Sequence, residues 1–320
     1  MISHQQFKLF SRHAHADHCQ EWDSQYPLME RAWAYQEQVL SPRVIYFGHH
    51  EIFWQCNATS WCCCSPYPIQ HGLKCMIAQG LDTRTPRITN ASSSILACWE
   101  RIVRYYSDKS ITKEEDRLPA LSGIARRFQL VRNSEYLAGL WEDNLSKDLC
   151  WMVSSRGRRP GKYLAPSWSW CSVFGSATCS NDSKLARVDV NILEVSCTPS
   201  TSDPTGAVSS GFIRISGFLL QGKLLMPSHD NRLIFRVRDV EFQFYADALY
   251  DDLAAIQSSN CTLYSLKVGR NKENVTQTLY VLILLKLKGL EEHFQRVGIA
   301  VLGDDIWKSR FEMKCAITII

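Results

Sequence analysis

Arg31-Ala-Trp-Ala-Tyr-Gln-Glu-Gln-Val-Leu-Ser-Pro-Arg-Val-Ile-Tyr-Phe-Gly48 decides how this chain is read. From Leu28 to Leu40 the residues Leu28, Ala32, Trp33, Tyr35, Gln36 and Val39 recur at close to helical spacing. Ser41-Pro42 ends that helix, because the residue before a proline is pushed out of the α region. Two short runs rich in β-branched and aromatic residues follow, Arg43 to Phe47 and Glu51 to Cys56, separated by Gly48, His49 and His50. They predict a β-hairpin. A helix running straight into a hairpin makes the expected class α+β.

Working outward, residues 1–26 lack periodicity and are expected to be an unstructured leader. Their four histidines stand where a signal peptide would need an apolar core, so the expectation is a cytoplasmic protein. Residues 27–94 form one expected unit, in which the hairpin gives way to an irregular connection marked by Pro66, Pro68, Gly72, Gly80 and Pro86, with room for a short helix. Residues 95–165 read as helical. Ile95, Leu96, Trp99, Ile102, Val103 and Tyr106 share one face, and Thr112 with Glu115 has capping-box spacing before a helix over 113–129, whose start Pro119 can shift. A third helix is expected over 136–149 from Leu137, Leu140, Trp141, Leu145 and Leu149. Residues 166–320 alternate like strands or run apolar like buried ones, as in Leu279 to Leu285.

Composition sets the outer limits. Thirty-six Lys and Arg against 32 Asp and Glu leave a net charge of +4, and a 45% hydrophobic share is enough for a real core. The basic residues are scattered; the Arg156, Arg158, Arg159 cluster reads as a solvated loop, so no nucleic-acid partner is expected. No apolar run approaches the roughly 18 residues of a membrane span. The 13 cysteines are read as reduced thiols, since a chain of this size needs no disulfide framework. Cys62-Cys63-Cys64 with Cys56 and Cys75, and His13, His15, His18 with Cys19, are the candidate metal ligands. Adjacent cysteines point apart and neither set has paired zinc spacing, so no metal is expected.

With Phe53-Trp-Gln-Cys56, the opening stretch resembles the carboxyl-terminal signature of the fungal heterokaryon incompatibility (HET) domain. That pattern is Arg-small-Trp, Gln-Glu, Leu-Ser-Pro-Arg, a strand, then a Trp-x-Cys strand. The matching positions are Arg31, Trp33, Gln36, Glu37, Leu40, Ser41, Pro42, Arg43, Trp54 and Cys56. Asp116 to Ala125, Tyr136 to Trp141, Trp151, Pro166 to Trp170 and Arg296 to Ile299 are similar to segments that follow the domain in such proteins. The family's opening strand is not found upstream of Leu28, so the chain is expected to carry a HET domain truncated on its amino-terminal side.

The resemblance implies fungal nonself recognition and regulated cell death, with other incompatibility proteins as partners. It also implies a fold like that of Toll/interleukin receptors, some of which cleave NAD with a glutamate. No bound cofactor is expected. NAD would be a substrate, and Glu37, the only carboxylate in the motif, would be the catalytic residue.

On the residues alone, Trp33 lies three and four positions from Gln36 and Glu37, close enough for an indole to desolvate the carboxylate and suit it to acid–base work. The alternative is that Glu37 pairs with Arg43 or another cation and Trp33 packs in the core. Trp141, Trp151, Trp168 and Trp170 read as core rather than as a platform for a base, and no P-loop or Ser-His-Asp pattern is present. A non-enzymatic interaction or autoregulatory module is the other functional class these features allow.

Overall fold

The computed structural model describes residues 27–48, 52–63, 73–81, 91–154, 157–178, 185–225, 233–248, 262–273, 276–303 and 314–320; the expected leader, Cys64 and Arg156 lie outside them. A 3-10 turn, Pro27–Glu30, leads into α1, Ala32–Leu40, which stops at Ser41-Pro42 as its sequence predicts. The expected hairpin follows as β1, Arg43–Phe47, paired antiparallel with β2, Ile52–Cys56. The connection beyond it is more structured than its prolines suggest. It holds a third strand, β3, Ser60–Cys62, paired with β2, then α2, Leu73–Gly80, and the first turn of α3, Ala91–Ser107.

Helix α3 buries Ile95, Trp99, Ile102, Val103 and Tyr106, the face its periodicity marked. The next helix, α4, starts later than the capping-box spacing suggests and spans Pro119–Arg132. Glu114–Asp116 is instead a 3-10 turn whose flanking Lys113 offers no side-chain cap, and Pro119 takes the first helical turn, where its missing N–H costs nothing. Asn133 closes α4 in the left-handed region, at φ 53°.

The helix expected over 136–149 is not formed. Tyr136–Leu137 (β4) and Leu140–Trp141 (β5) make a two-residue hairpin, followed by a 3-10 turn at Glu142–Asn144 and one helical turn at Leu145–Asp148. The reason is Ala138-Gly139, with φ of 47° and 104°: a turn with positive φ at both central residues matches strand twist and excludes a helix. The apolar spacing fits either form, so the turn decides.

Beyond this, Met152–Val153 (β6) pairs with Ala177–Thr178 (β7). Then come β8, Leu185–Val188; β9, Asn191–Pro199; β10, Val208–Leu225; β11, Ile234–Val237; β12, Val240–Gln243; β13, Tyr245–Ala246; β14, Leu263–Glu273; β15, Thr276–Lys286; β16, His293–Gly303; and β17, Lys314–Ile319. They form one ten-stranded sheet. Because β10 pairs with β17 through Ile213–Phe218 and with β14 through Leu219–Gly222, the sequence β10-β17-β16-β15-β14 closes into a ring. All contacts in that ring are antiparallel except β16 with β17.

Strand β15 explains the continuous apolar run. Tyr280, Leu282 and Leu284 join the cluster containing Ile213, Ile215 and Ile317, whereas Leu279, Val281 and Ile283 pack toward Phe235 and Phe242 of the β11–β12 hairpin. With both faces buried, no polar alternation is possible. The first cluster runs on without a break into α3, α4 and the buried Trp141, Trp151, Trp168 and Trp170. The molecule is therefore a mixed α+β protein dominated by sheet, with a helical layer sealed onto the ring. Among the described residues no helix is long and apolar enough to cross a membrane.

Candidate functional site

The motif helix α1 turns two of its polar side chains toward α4 and its approach. The Trp33 indole N–H donates to the Asp116 carboxylate at 3.0 Å, and the Gly123 amide donates to Gln36 Oε1 at 2.6 Å. The approach at Gly123 is close: a Cβ there would lie 2.8 Å from Gln36 Oε1 and 2.9 Å from Leu40 Cδ1, so both side-chain ends would have to shift. Ala32, Ala34, Tyr35 and Val39 supply the buried side of α1. Trp33 itself is 38% exposed rather than core, held at the surface by Asp116.

Glu37 points away from all of this. It is exposed, makes no hydrogen bond or ion pair through its side chain among the described residues, and contributes its backbone carbonyl to the Ser41 amide that closes α1. Neither Trp33 nor Arg43 engages it. Arg31 and Arg43 are exposed too, and the Arg31 backbone anchors the start of α1 through a bridge to Ser110. The Cys56 thiol accepts from the Ala58 amide at 3.3 Å, which tightens the β2–β3 turn.

The hairpin has two unlike faces. Tyr46, Phe53 and Cys62 pack with Met29 on one. On the other, cross-strand register aligns Ile45, Trp54 and Trp61 in one row and Phe47 with Ile52 in the next. Ile45 is 55% exposed, Phe47 77%, Ile52 47% and Trp61 40%. Five apolar side chains thus share one outward face.

Downstream segments meet in a buried seam between the helical layer and the ring. Arg296, fully buried, donates to the carbonyls of Leu149 (2.6 Å) and Trp151 (2.5 Å) and to the Asp247 carboxylate (3.0 Å), and lies 3.5 Å from the Trp151 ring centroid. Burial pulls its pKa down, and Asp247 opposes that shift. The Trp151 indole donates to Trp168 O at 2.8 Å, while Trp99 and Trp170 both donate to Gly139 O, at 3.1 and 3.0 Å. Arg117 is a second buried cation, donating to Val173 O at 2.6 Å with its guanidinium over Phe174 and Trp170. Arg296 is met by two carbonyls, a carboxylate and an indole face, whereas Arg117 has one carbonyl and two ring faces and its buried Nε has no hydrogen-bond partner among the described residues.

A cavity of about 860 Å³ opens beside this seam, between the 159–165 segment and strands β10 and β16. Phe212, Leu285, Leu287 and Val297 form its apolar wall, and Lys162, Tyr163 and Gln295 bring polar atoms to it. The basic loop is not wholly solvated, as its composition had suggested. Arg159 turns inward to Ser172 Oγ (3.0 Å) and Arg296 O (2.7 Å), and Arg158 pairs with Glu114 at 2.7 Å. Glu37 is not among the cavity's lining residues. A Gly- and Pro-interrupted basic segment was legible in sequence, but that it faces β10 and β16 depends on long-range pairing that no local pattern encodes.

Among the described residues no three His, Cys, Asp or Glu side chains converge as metal ligands do. Of the cysteines near the hairpin, Cys62 and Cys75 are buried and Cys56 and Cys63 half-buried; the amino-terminal histidines lie outside the described residues. No protein-family model, no curated protein and no solved structure matches the chain.

Proposed function

We propose that this is a HET-type protein of fungal nonself recognition, acting in the cytoplasm in regulated cell death. The reading rests on the resemblance of residues 31–56 and of the later segments. One observation carries it further: segments far apart in sequence are each other's partners. Trp33 and Gln36 bond to Asp116 and Gly123, while Trp151, Trp168 and Arg296 share one seam. Inducible expression in a filamentous fungus tests the reading, with growth arrest or death of the expressing cells as the expected result. Unchanged viability in both like and unlike fusion partners would count against it.

A second reading, a non-enzymatic interaction module, is favoured by the outward face of Ile45, Phe47, Ile52 and Trp61, since monomeric proteins seldom leave contiguous apolar surface open. Its expected partner is another incompatibility-type chain carrying the same motif, a second copy included. Sedimentation of the full chain should show concentration-dependent association that Phe47→Asp abolishes; a monomer at every concentration would reject self-association.

The open setting of Glu37 lends no support to acid–base work at that position, because a solvated carboxylate on a helix face has neither a desolvated environment nor a walled substrate site. Nicotinamide release from NAD by the purified protein, compared with Glu37→Ala, addresses the catalytic alternative directly. Equal rates would remove Glu37 from it.

A further inference from the structure

We propose that the cavity between the 159–165 segment and strands β10 and β16 binds a small amphipathic acid, an unbranched aliphatic carboxylate whose head group sits at Lys162 and whose chain lies against Phe212, Leu285, Leu287 and Val297. The volume, about 860 Å³, falls within the roughly 300–1,000 Å³ range of small-molecule sites. The wall is mainly aliphatic, which suits a hydrocarbon chain better than a planar ring system.

The polar groups on the wall point to charge. Lys162, Tyr163 and Gln295 make no side-chain hydrogen bond among the described residues, and each can donate one. Tyr163 is half exposed, and its hydroxyl keeps its proton at neutral pH and can donate it. No aspartate or glutamate is among the lining residues. The carboxylates nearby are already occupied: Glu114 by Arg158 and the Gly161 amide, and Asp247 by Arg296. Arg159 is committed to Ser172 and to the Arg296 carbonyl. The remaining ammonium at the mouth matches a single negative charge. Lys162 is exposed and its charge already reaches Glu114, which Arg158 holds; a bound carboxylate would add a direct partner for it, a neutral alcohol would not, and a cationic amphiphile would be repelled.

Fluorescence titration of the full chain with dansyl-labelled undecanoate, below the concentration at which the probe forms micelles, tests the site. The expected result is saturable enhancement at one probe per chain, displaced by dodecanoate well before dodecanol or dodecyltrimethylammonium. Lys162→Glu should weaken binding by about tenfold and Lys162→Arg should retain it. Ser210→Trp, at an exposed lining position, should fill the cavity and abolish binding while circular dichroism and thermal unfolding stay unchanged. Leu287→Trp is a second filling variant should the first disturb folding. No saturable binding, equal displacement by alcohol and carboxylate, or undiminished binding in a folded cavity-filled variant would each overturn the proposal.

Discussion

The seam around Arg296 and the motif helix α1 solve the same problem in different solvents. Both use polar side chains to engage the backbone or a carboxylate of a partner element. In the seam a fully buried guanidinium meets two carbonyls, a carboxylate and an indole face. On α1 the Trp33 indole and the Gln36 amide each make one bond close to water. Losing a partner in the first place strands a charge without solvent; in the second, water replaces much of what is lost.

The largest expected effect is at Arg296. Arg296→Met leaves the buried Asp247 with only the more distant Arg159 cation, at 3.9 Å, and removes the guanidinium donor from two carbonyls, which should cost about 3–5 kcal/mol in urea unfolding. Arg296→Lys should rescue little, because one ammonium cannot reproduce a planar fork stacked on Trp151. A cost under about 1 kcal/mol would erase the contrast with α1.

Next in size is a pH effect at the seam's flank. Asp148 accepts from the Trp141 amide and Asn144 Nδ2, yet burial raises its pKa from 3.8 to about 6. The folded state then holds a proton that the unfolded state releases, so the contribution is fully present below about pH 4 and is lost as pH rises toward 6. The loss should reach about 3 kcal/mol at most. Glu100, raised to about 7 chiefly by burial, extends the decline to neutral pH. Chemical denaturation between pH 4 and 8 measures the slope, and a flat profile, or the same slope in Asp148→Asn, would contradict it.

On α1 the effects should be smaller. Gln36→Ala removes the side-chain acceptor that ties α1 to the Gly123 amide and should cost about 1 kcal/mol. Glu37→Ala should change stability by no more than about 0.5 kcal/mol, since its side chain has nothing to lose. A larger effect at Glu37 than at Gln36 in the same unfolding assay would reverse the assigned roles.

What the sequence made legible followed short-range rules. Ser41-Pro42 stops α1, two β-branched runs make the β1–β2 hairpin, and the two-faced burial of β15 turns its apolar run into a strand. What it hid depended on a local conformation or a distant neighbour. Ala138-Gly139 in positive φ overrode a helical spacing, and Pro119 displaced a well-formed capping signature. The inward turn of Arg159 depends on Arg296, far away in sequence. For the candidate site, Trp33, Gln36 and Glu37 were identifiable as neighbours on a helix, but which of them would face a partner depended on where α4 and its approach lie in the fold. The cavity was invisible for the same reason, because its walls come together only through the pairing of β10 and β16 into the ring.

Strand β10 carries a kinetic consequence. It is written early in the sheet region but pairs through Ile213 with Ile319 of the last strand, so its edge must wait for nearly everything between them to be made. A nascent chain emerging from the ribosome would present that edge and the half-built barrel's apolar lining throughout synthesis. Such delayed closure favours slow maturation and dependence on chaperones, and makes ribosome-stalled intermediates the species most prone to stick to one another.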